Sequence, residues 1–530
     1  MPPCLARALV LLGAVASLLG CKTFTVNTVA DAPDAHPGDG HCARAAVANT
    51  ESLTTGLCTL RAAVMEADAT IWRDTILVPS GTYHLDLPAA SGGGHLDITH
   101  SVLLHGAGAL TTIIDQDVGD LVIYLNGAKA VEINNLTVQG GDTQFGGGIR
   151  IDSGAELDLA DSVLRDNFAF TGGGGLLVNT GTKATLRRVS ILENVANGAF
   201  GGGLLNKGEL WVYDSTIANN ESNRAGGIRN EGNLNLRNVT VSGNLAVSPS
   251  AGTGGISQNG FAVLNNVTLT GNTGVGNDPA SFRGGGIQIV SGKTTVVKNS
   301  ILAGNQGGLG PNDCDGTLSG DSKYNLVGDS DGCTIPSYVS TFKLDVLPDL
   351  GTLGSHGGST QTHVPSSGSQ ALNAGYGFPP PAADACQGTD QRGVPRPQGT
   401  GGCDLGAVEV TPTPVFVTGF VLVDAATDTD IRPLLHGDTL DLSELPPQLS
   451  IRAAVSGGGP GSVVFGLDAD TSFQTENVSP YALGGDAPAG NFTPVSLGTG
   501  KHTVMATPFS GASGAGAAGG GNAITFLVKA

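Results

Sequence analysis

Aromatic side chains are scarce: Phe, Trp and Tyr make up 5% of the chain. Any cluster of them is therefore a feature rather than background. Cations are few as well, 26 Lys and Arg against 46 Asp and Glu, for a formal net charge of −20. Binding nucleic acid needs Lys and Arg clusters to neutralise phosphates, and none is present, which excludes nucleic acid as a partner. The acidity reads as solubility. No apolar run is long enough to span a bilayer as a helix. No CxxC spacing occurs, which argues against zinc. What is abundant is glycine, 83 of 530 residues, against a usual share of about 7%. Proline, at 27, is too sparse for collagen. The composition is that of a folded protein with many tight turns.

The N-terminus has one cation, Arg7, then an apolar run from Ala8 to Gly20. That run reads as a secretory leader. It ends in Leu18-Leu19-Gly20-Cys21, which resembles the bacterial lipobox, whose Cys is acylated and becomes the mature N-terminus. Lipidation at Cys21 is the expectation, with the membrane as a partner through that anchor. Lys22 after the Cys favours outer-membrane sorting by the same analogy. The remaining cysteines outside the leader fall into local couples: Cys42 with Cys58, Cys314 with Cys333, and Cys386 with Cys403. Six cysteines allow fifteen connectivities. Local disulfides are the simplest, because each closes a short loop and export permits oxidation.

From Gly201 the chain nearly repeats itself: GGGLLNKGELWVYDSTIANN, then AGGIRNEGNLNLRNVTVSGN. Leu204 aligns with Ile228, Asn206 with Asn230, Leu210 with Leu234, Val212 with Leu236, Asp214 with Asn238, Ile217 with Val241 and Asn220 with Asn244. The apolar residue after each Gly run recurs at Ile149, Leu176, Leu204, Ile228, Ile256 and Ile287. A closing Asn recurs at Asn167, Asn194, Asn220, Asn244, Asn272 and Asn305. Such spacing marks a stacked architecture. Leucine-rich repeats need a returning helix, propeller blades need about 40–45 residues, and calcium β-rolls need Asp positions missing here. At about 3.3 Å per residue a unit traces roughly 80 Å, so it must close on itself to stack at about 4.8 Å. That is a parallel β-helix, with strands LLN, LWVY and STIA in the opening copy. Alternation points Leu234 and Leu236 inward and Asn233, Asn235 and Arg237 outward. The Asn positions are expected at turns or in side-chain ladders. Shorter opening coils are expected within 76–87, 95–108 and 130–141. A solenoid needs its open end covered. Cys58–Trp72, with Leu60, Val64, Ala67 and Ile71 at helical spacing, reads as an amphipathic helix that plugs it.

At these residues the chain resembles a bacterial group. CTLRAAVMEAD looks like the CSLREA motif, preceded by FTVNTVADAPDAHPGDGHC; Ala62 stands where the motif has Glu. HGGSTQTHVPSSGSQALNAG, CQGTDQRGVPRP and CDLGAVE look like the choice-of-anchor Q module, with His356, Ser359 and Asn373 departing from its commonest residues. The resemblance implies a secreted or surface right-handed β-helix, related in shape to pectin lyases, and implies little about activity. After a Pro-bearing linker, short strands in 420–431, 449–455, 461–468, 481–485 and 501–509 argue for a β-sandwich. Val463–Asp486 resembles an Ig-like module of bacterial surface proteins. The expected organisation is leader 1–21, cap 22–75, β-helix 76–310, choice-of-anchor-Q-like region 311–409, linker 410–417 and sandwich 418–530. The fold class is all-β.

Chemistry is harder to find. The NTD, DD and RIK signatures of polygalacturonase-like hydrolases are absent. Asp161 and Asp214 share a register, but Arg188, Asn238 and Asn266 intervene, so no acidic column forms. Asn312–Gly316 and Asp329–Gly332 have a spacing calcium could use, but neither continues to a bidentate Glu, and turns are the simpler reading. Asp468-Ala469-Asp470 is weaker still. No cofactor is expected. His100, His105, His356 and His363 lack a G-x-S-x-G partner. Before the Gly runs stand Phe145, Phe170, Phe200 and Phe282, with Arg224 at the same place in its coil. Stacked, they would offer a glycan platform, with Arg224 or Arg283 for acid groups; an internal Phe stack is the plainer alternative. The functional expectation is a lipid-anchored, non-enzymatic envelope protein for adhesion or glycan binding. A polysaccharide lyase or hydrolase is the alternative.

Overall fold

The structure, a computed structural model, describes residues 20–42, 56–410 apart from 92, 199, 250–251, 277–283, 336, 378–383 and 398–401, and 415–530 apart from 458 and 516–517. The expected leader lies outside the described residues except for Gly20 and Cys21. The chain divides into two compact units, Met1–Val410 and Thr411–Ala530.

The first unit is a parallel β-helix with three faces. One carries three- and four-residue strands such as Ile149–Asp152, Leu176–Val178, Leu204–Asn206 and Ile228–Asn230. A second carries short strands such as Val195–Ala196, Glu221–Ser222 and Leu245–Ala246. The third is wide and bent. Its strands in the opening repeat are Glu209–Ala218 and Asn233–Ser242. The register is the one the repeat predicts: Leu204 beside Ile228, Leu210 beside Leu234, Val212 beside Leu236, Ile217 beside Val241. Leu234 and Leu236 are buried, while Asn233, Asn235 and Arg237 face out. Each fully buried Leu or Ile contributes about 1.5–3 kcal/mol, and like stacks on like up the whole core.

Two details differ from the sequence reading. LWVY and STIA are not separate strands but one bent strand, and the third strand of the coil is Glu221–Ser222. The bend is made by one left-handed residue inside the strand: Asp161, Arg188, Asp214, Asn238, Asn266 and Asn299 all have φ between 48° and 56°. Asn and Asp tolerate that region, because their short polar side chains bond locally. The closing asparagines do not take the left-handed angle themselves. Asp166, Glu193 and Asn219, each just before one, do.

The closing asparagines instead form a buried ladder. Asn167 Nδ2 donates to Asn194 Oδ1, Asn194 to Asn220, Asn220 to Asn244, Asn244 to Asn272 and Asn272 to Asn305, at 2.8–3.0 Å. Asn305 donates to Asp313 Oδ1 at 2.7 Å, which ends the series on a carboxylate. The amide dipoles all point their N–H ends at Asp313, which favours a negative charge there. Burial opposes it and wins, pushing the Asp313 carboxyl up to about 6. The Gly runs let the coils approach: a Cβ on Gly202 would lie 2.3 Å from the Glu221 carbonyl oxygen.

The N-terminal plug is the helix Leu60–Asp68, shorter than the expected 58–72. Leu60, Val64 and Ala67 are buried as expected, but Ile71 lies beyond the helix and is 86% exposed. Thr59 caps the helix, its hydroxyl oxygen accepting from Ala62 N at 3.0 Å. Arg61 holds Asp31 through two bonds of 2.7 and 2.8 Å. Glu66 accepts from the amides of Gly38 and Gly40. Strand Thr23–Thr25 then adds to Asp74–Val78 as the first rung. The three local disulfides form as expected: Cys42–Cys58, Cys314–Cys333 and Cys386–Cys403.

After strand Lys343–Leu344 the chain returns over the bent face as a strap. The Thr216 hydroxyl donates to the Gln361 carbonyl at 2.5 Å, Thr240 to Gln391 Oε1 at 2.7 Å, and Ala407 N to Thr268 Oγ1 at 2.9 Å. These outward threonines are thereby fully buried.

The second unit is a β-sandwich. Phe416–Asp424 lies between Thr429–Leu434 and Leu449–Ser456 in a three-stranded sheet. A five-stranded sheet orders Thr439–Asp441, Asn522–Lys529, Gly500–Phe509, Ser462–Leu467 and Asp470–Glu476. Phe420, Ile451, Phe465, Leu483 and Phe526 form the shared core. The sequence reading missed Thr439–Asp441, Asp470–Glu476 and Asn522–Lys529, and the expected stretch 420–431 is the hairpin of Phe416–Asp424 and Thr429–Leu434. The expected strand 481–485 is a buried turn with one bridge, Arg452 to Ala482. Phe416 and Val417, read as linker, already belong to the first strand.

Candidate ligand-binding face

The left-handed corner divides the bent face into two halves. The strap covers the half after it. In the half before it, alternation buries Leu210 and Val212 and sends Trp211 and Tyr213 outward, both half-buried. Register places Arg187 and Arg237 on either side of Tyr213, and Thr185 and Asn235 on either side of Trp211. Lys183 Nζ sits 5.1 Å from the Trp211 ring centre, and the Arg187 and Arg237 guanidiniums 5.7 and 6.0 Å from that of Tyr213. Such cation–π contacts hold the cations against the rings. Arg187 also pairs with Asp158, and Lys183 with Glu209 at 3.7 Å. Arg237 donates to Asn235 Oδ1 at 3.0 Å. Phe261, 44% exposed, continues the half two coils on, in the row of Glu209 and Asn233. The result is an open strip of aromatic rings flanked by cations on an acidic chain. Rings can stack on the C–H faces of sugars, and guanidiniums can take carboxylates bidentately.

The Phe positions do not make a continuous column. Phe145 pairs with Gly172, and Gly172 with Phe200. Phe170 sits apart, 54% exposed and edge-on to Phe168 at 4.9 Å. Phe200 is covered by the Arg229 guanidinium at 5.1 Å and shares a small cleft with Arg224. Phe282 and Arg283 lie outside the described residues. The signal for the open half was in the sequence: in ELWVY the small apolar residues alternate with Trp and Tyr.

The carboxylates of the corner row and of the strap are neutralised or sealed. Arg188 holds Asp161 through two 2.6 Å bonds, and Asn238 donates to Asp214 at 3.0 Å. Under the strap, Asp390, Asp404 and Glu409 surround Arg392 and Arg396. Arg396 donates to Glu409 Oε2 at 2.9 Å and to the carbonyls of Asp404 and Gly406 at 3.0 and 2.8 Å. Asp390 takes Arg392 at 2.8 Å and the amide of Glu409 at 2.9 Å. Burial and the neighbouring Asp404 push the Glu409 carboxyl up to about 7. Asp390, Arg396, Asp404 and Glu409 are all at most 4% exposed, so the cluster fastens the strap rather than meeting a polymer.

His363 makes the one serine contact of note. Its Nδ1 donates to the Gly351 carbonyl at 2.7 Å, so Nε2 accepts from the Ser242 hydroxyl at 2.8 Å. Ser242 is 4% exposed, and the pair joins strap to coil. His356 bonds the Thr362 carbonyl at 3.0 Å. His100 and His105 are exposed. Asp468 bonds His502 and the Thr503 amide, both at 2.8 Å, and is a left-handed turn residue. His84, Asp115 and Asp117 cluster on the opening coils, where they could share a metal ion; His84 Nδ1 lies 3.1 Å from Asp117.

Residues 121–306 match the protein family described as the right handed beta helix region. Among solved structures, the crystal structure of pectate lyase Pel9A is similar, at 14% sequence identity and a TM-score of 0.44. The alignment covers 74% of this chain and 98% of that one. No curated protein matches the chain. The coil register and the family match make the first unit a right-handed parallel β-helix with a helical N-terminal cap, and a β-sandwich follows it in the chain. Its disulfides fit an exported protein.

Proposed function

We propose that the protein binds acidic glycans along the open half of its bent face and does not cleave them. The observation that carries this is Trp211 and Tyr213 side by side on an outward strip, with Lys183, Arg187 and Arg237 against their rings. The reading also takes the cap and strap as CSLREA and choice-of-anchor Q regions of a bacterial envelope protein, and the sandwich as an Ig-like spacer. The test is retention on immobilised polyuronate against a neutral polysaccharide of equal length. Selective, salt-sensitive retention supports the reading; equal passage through both columns rejects it.

A lipid anchor at Cys21, with outer-membrane location, belongs to the same proposal. Cys21→Ala should release the protein from membranes; unchanged detergent partitioning would end the anchor idea.

The second reading is a polysaccharide lyase or hydrolase. Asp384, held between Lys298 and Lys323 at 2.8 and 2.9 Å, is the observation that favours it. Asp384 raises the Lys323 pKa, however, and a lysine kept protonated is a poor base for proton abstraction. Unsaturated products from polyuronate and calcium would replace the binding reading with this one.

A further inference from the structure

The repeat breaks on the face of three- and four-residue strands. Its outward row runs through Leu177, Leu205, Arg229, Ser257 and Gln288, each beside the next on successive coils. Leu177 and Leu205 are 2% and 1% exposed. A glycine turn roofs them: a Cβ on Gly173 would lie 3.1 Å from Leu177, and one on Gly172 3.1 Å from Leu205. From Arg229 on, the row turns polar. A cleft of ≈ 270 Å³ opens over it, lined by Arg229, Ser257 and Gln288 with Phe200, Arg224 and Asn259. The coil itself does not require these polar groups, because Leu fills the same place in the two coils before. What they offer is donors. Ser257, 3% exposed, accepts from Arg229 Nη1 at 2.8 Å, so its own proton is left to give. Gln288, 7% exposed, accepts the Thr253 hydroxyl on Oε1 at 3.3 Å, and its Nε2 has no acceptor among the described residues. Arg229 Nε pairs with Glu231 at 3.1 Å, while Arg224 forms no ion pair among the described residues. None of the described residues lining the cleft is acidic, on a chain of net charge −20.

We propose that this cleft binds one acidic sugar residue, at a site separate from the open half of the bent face. The oxyanion of the sugar meets Arg224 and Arg229, whose forked N–H groups match a carboxylate. Ser257 Oγ and Gln288 Nε2 donate to the same group or to a hydroxyl beside it. Donors held near the interior without an acceptor gain most from being filled, and a charged acceptor gives the stronger bond. The Phe200 ring, with the Arg229 guanidinium 5.1 Å from its centre, adds an apolar wall for the C–H face of the sugar. The volume lies at the small end of ligand clefts, which suits a single residue rather than a polymer segment. A sulfate presents the same oxyanion chemistry as a carboxylate, so a sulfated sugar fits the same donors.

The test is calorimetric titration of the whole chain with galacturonate, galactose 6-sulfate and neutral galactose. At least one of the two anions should bind at one equivalent and galactose should not; the tighter anion identifies the group. Arg224→Gln should weaken that binding about tenfold or more, since a charge-assisted pair is lost. Gln288→Glu keeps the side-chain shape and the bond from Thr253 but sets a carboxylate in the cleft, and should abolish binding. Unchanged amide exchange away from the cleft shows that both variants fold. The Trp211→Ala, Tyr213→Ala double variant should bind the anion as the unaltered chain does, so this site and the open half stand or fall separately. No saturable binding of either anion by the unaltered chain, equal binding of galactose, binding that survives Gln288→Glu, or binding lost in the Trp211, Tyr213 variant overturns the proposal.

Discussion

One strand, Glu209–Ala218, belongs to two surfaces. Before its left-handed residue Asp214, it presents Trp211 and Tyr213 to solvent among cations. After it, the strand presents Thr216 to a strap that buries it completely. Core packing is the same on both sides, with Val212 and Ile217 fully buried. The difference lies only in what the outward residues are asked to meet. Small hydroxylated side chains accept a second layer of backbone. Large aromatic ones would obstruct it, and stay open. The repeat fixes the scaffold, while the outward positions decide whether a face is closed or free.

The largest expected effect breaks the covered half. Arg396→Ala leaves Glu409 and Asp404 buried without their cation, which typically costs about 3–5 kcal/mol. Both tryptophans, Trp72 and Trp211, lie in the first unit, so their fluorescence during urea unfolding reports this loss directly. A change below measurement error would mean that the strap does not hold the face.

A smaller effect separates the shared core from either half. Asn220 donates to Asn244 and to the carbonyls of Ile191 and Ala218, and accepts from Asn194. Asn220→Ala should cost about 1–3 kcal/mol by leaving buried partners unbonded. It should leave glycan retention unchanged once the protein is folded.

A third effect is the share of the pH dependence that the strap contributes, beside that of Asp313 in the coils. The folded Glu409 carboxyl titrates near 7 instead of its ordinary 4.5. The folded state therefore binds the extra proton, and stability falls as pH rises from about 4.5 to about 7, then levels off. Glu409→Gln should remove up to roughly 3 kcal/mol of that slope. An identical pH profile in the variant would show that Glu409 is not the titrating group.

Much of this was legible in the sequence. The coil register followed from Leu, Ile and Asn recurring at one offset, because stacked parallel strands demand like beside like. The three disulfides followed from local spacing. The bent strand was not legible, because Asp214 looks like a turn residue and yet keeps the ladder running through a left-handed angle. The strap was not legible either: its bonds join residues such as Thr240 and Gln391, too far apart in sequence for any periodicity to register. The Phe column failed because Gly172, not Phe170, occupies the stacking position between Phe145 and Phe200.

The most direct measurement is calorimetric titration of an acidic oligosaccharide into the unaltered protein, the Trp211→Ala, Tyr213→Ala double variant, and Thr216→Ser in the covered half. The account predicts binding by the unaltered protein and by Thr216→Ser. It predicts a loss of about tenfold or more in the double variant, since aromatic anchors carry most of such an interface. Equal affinity in all three proteins would contradict it.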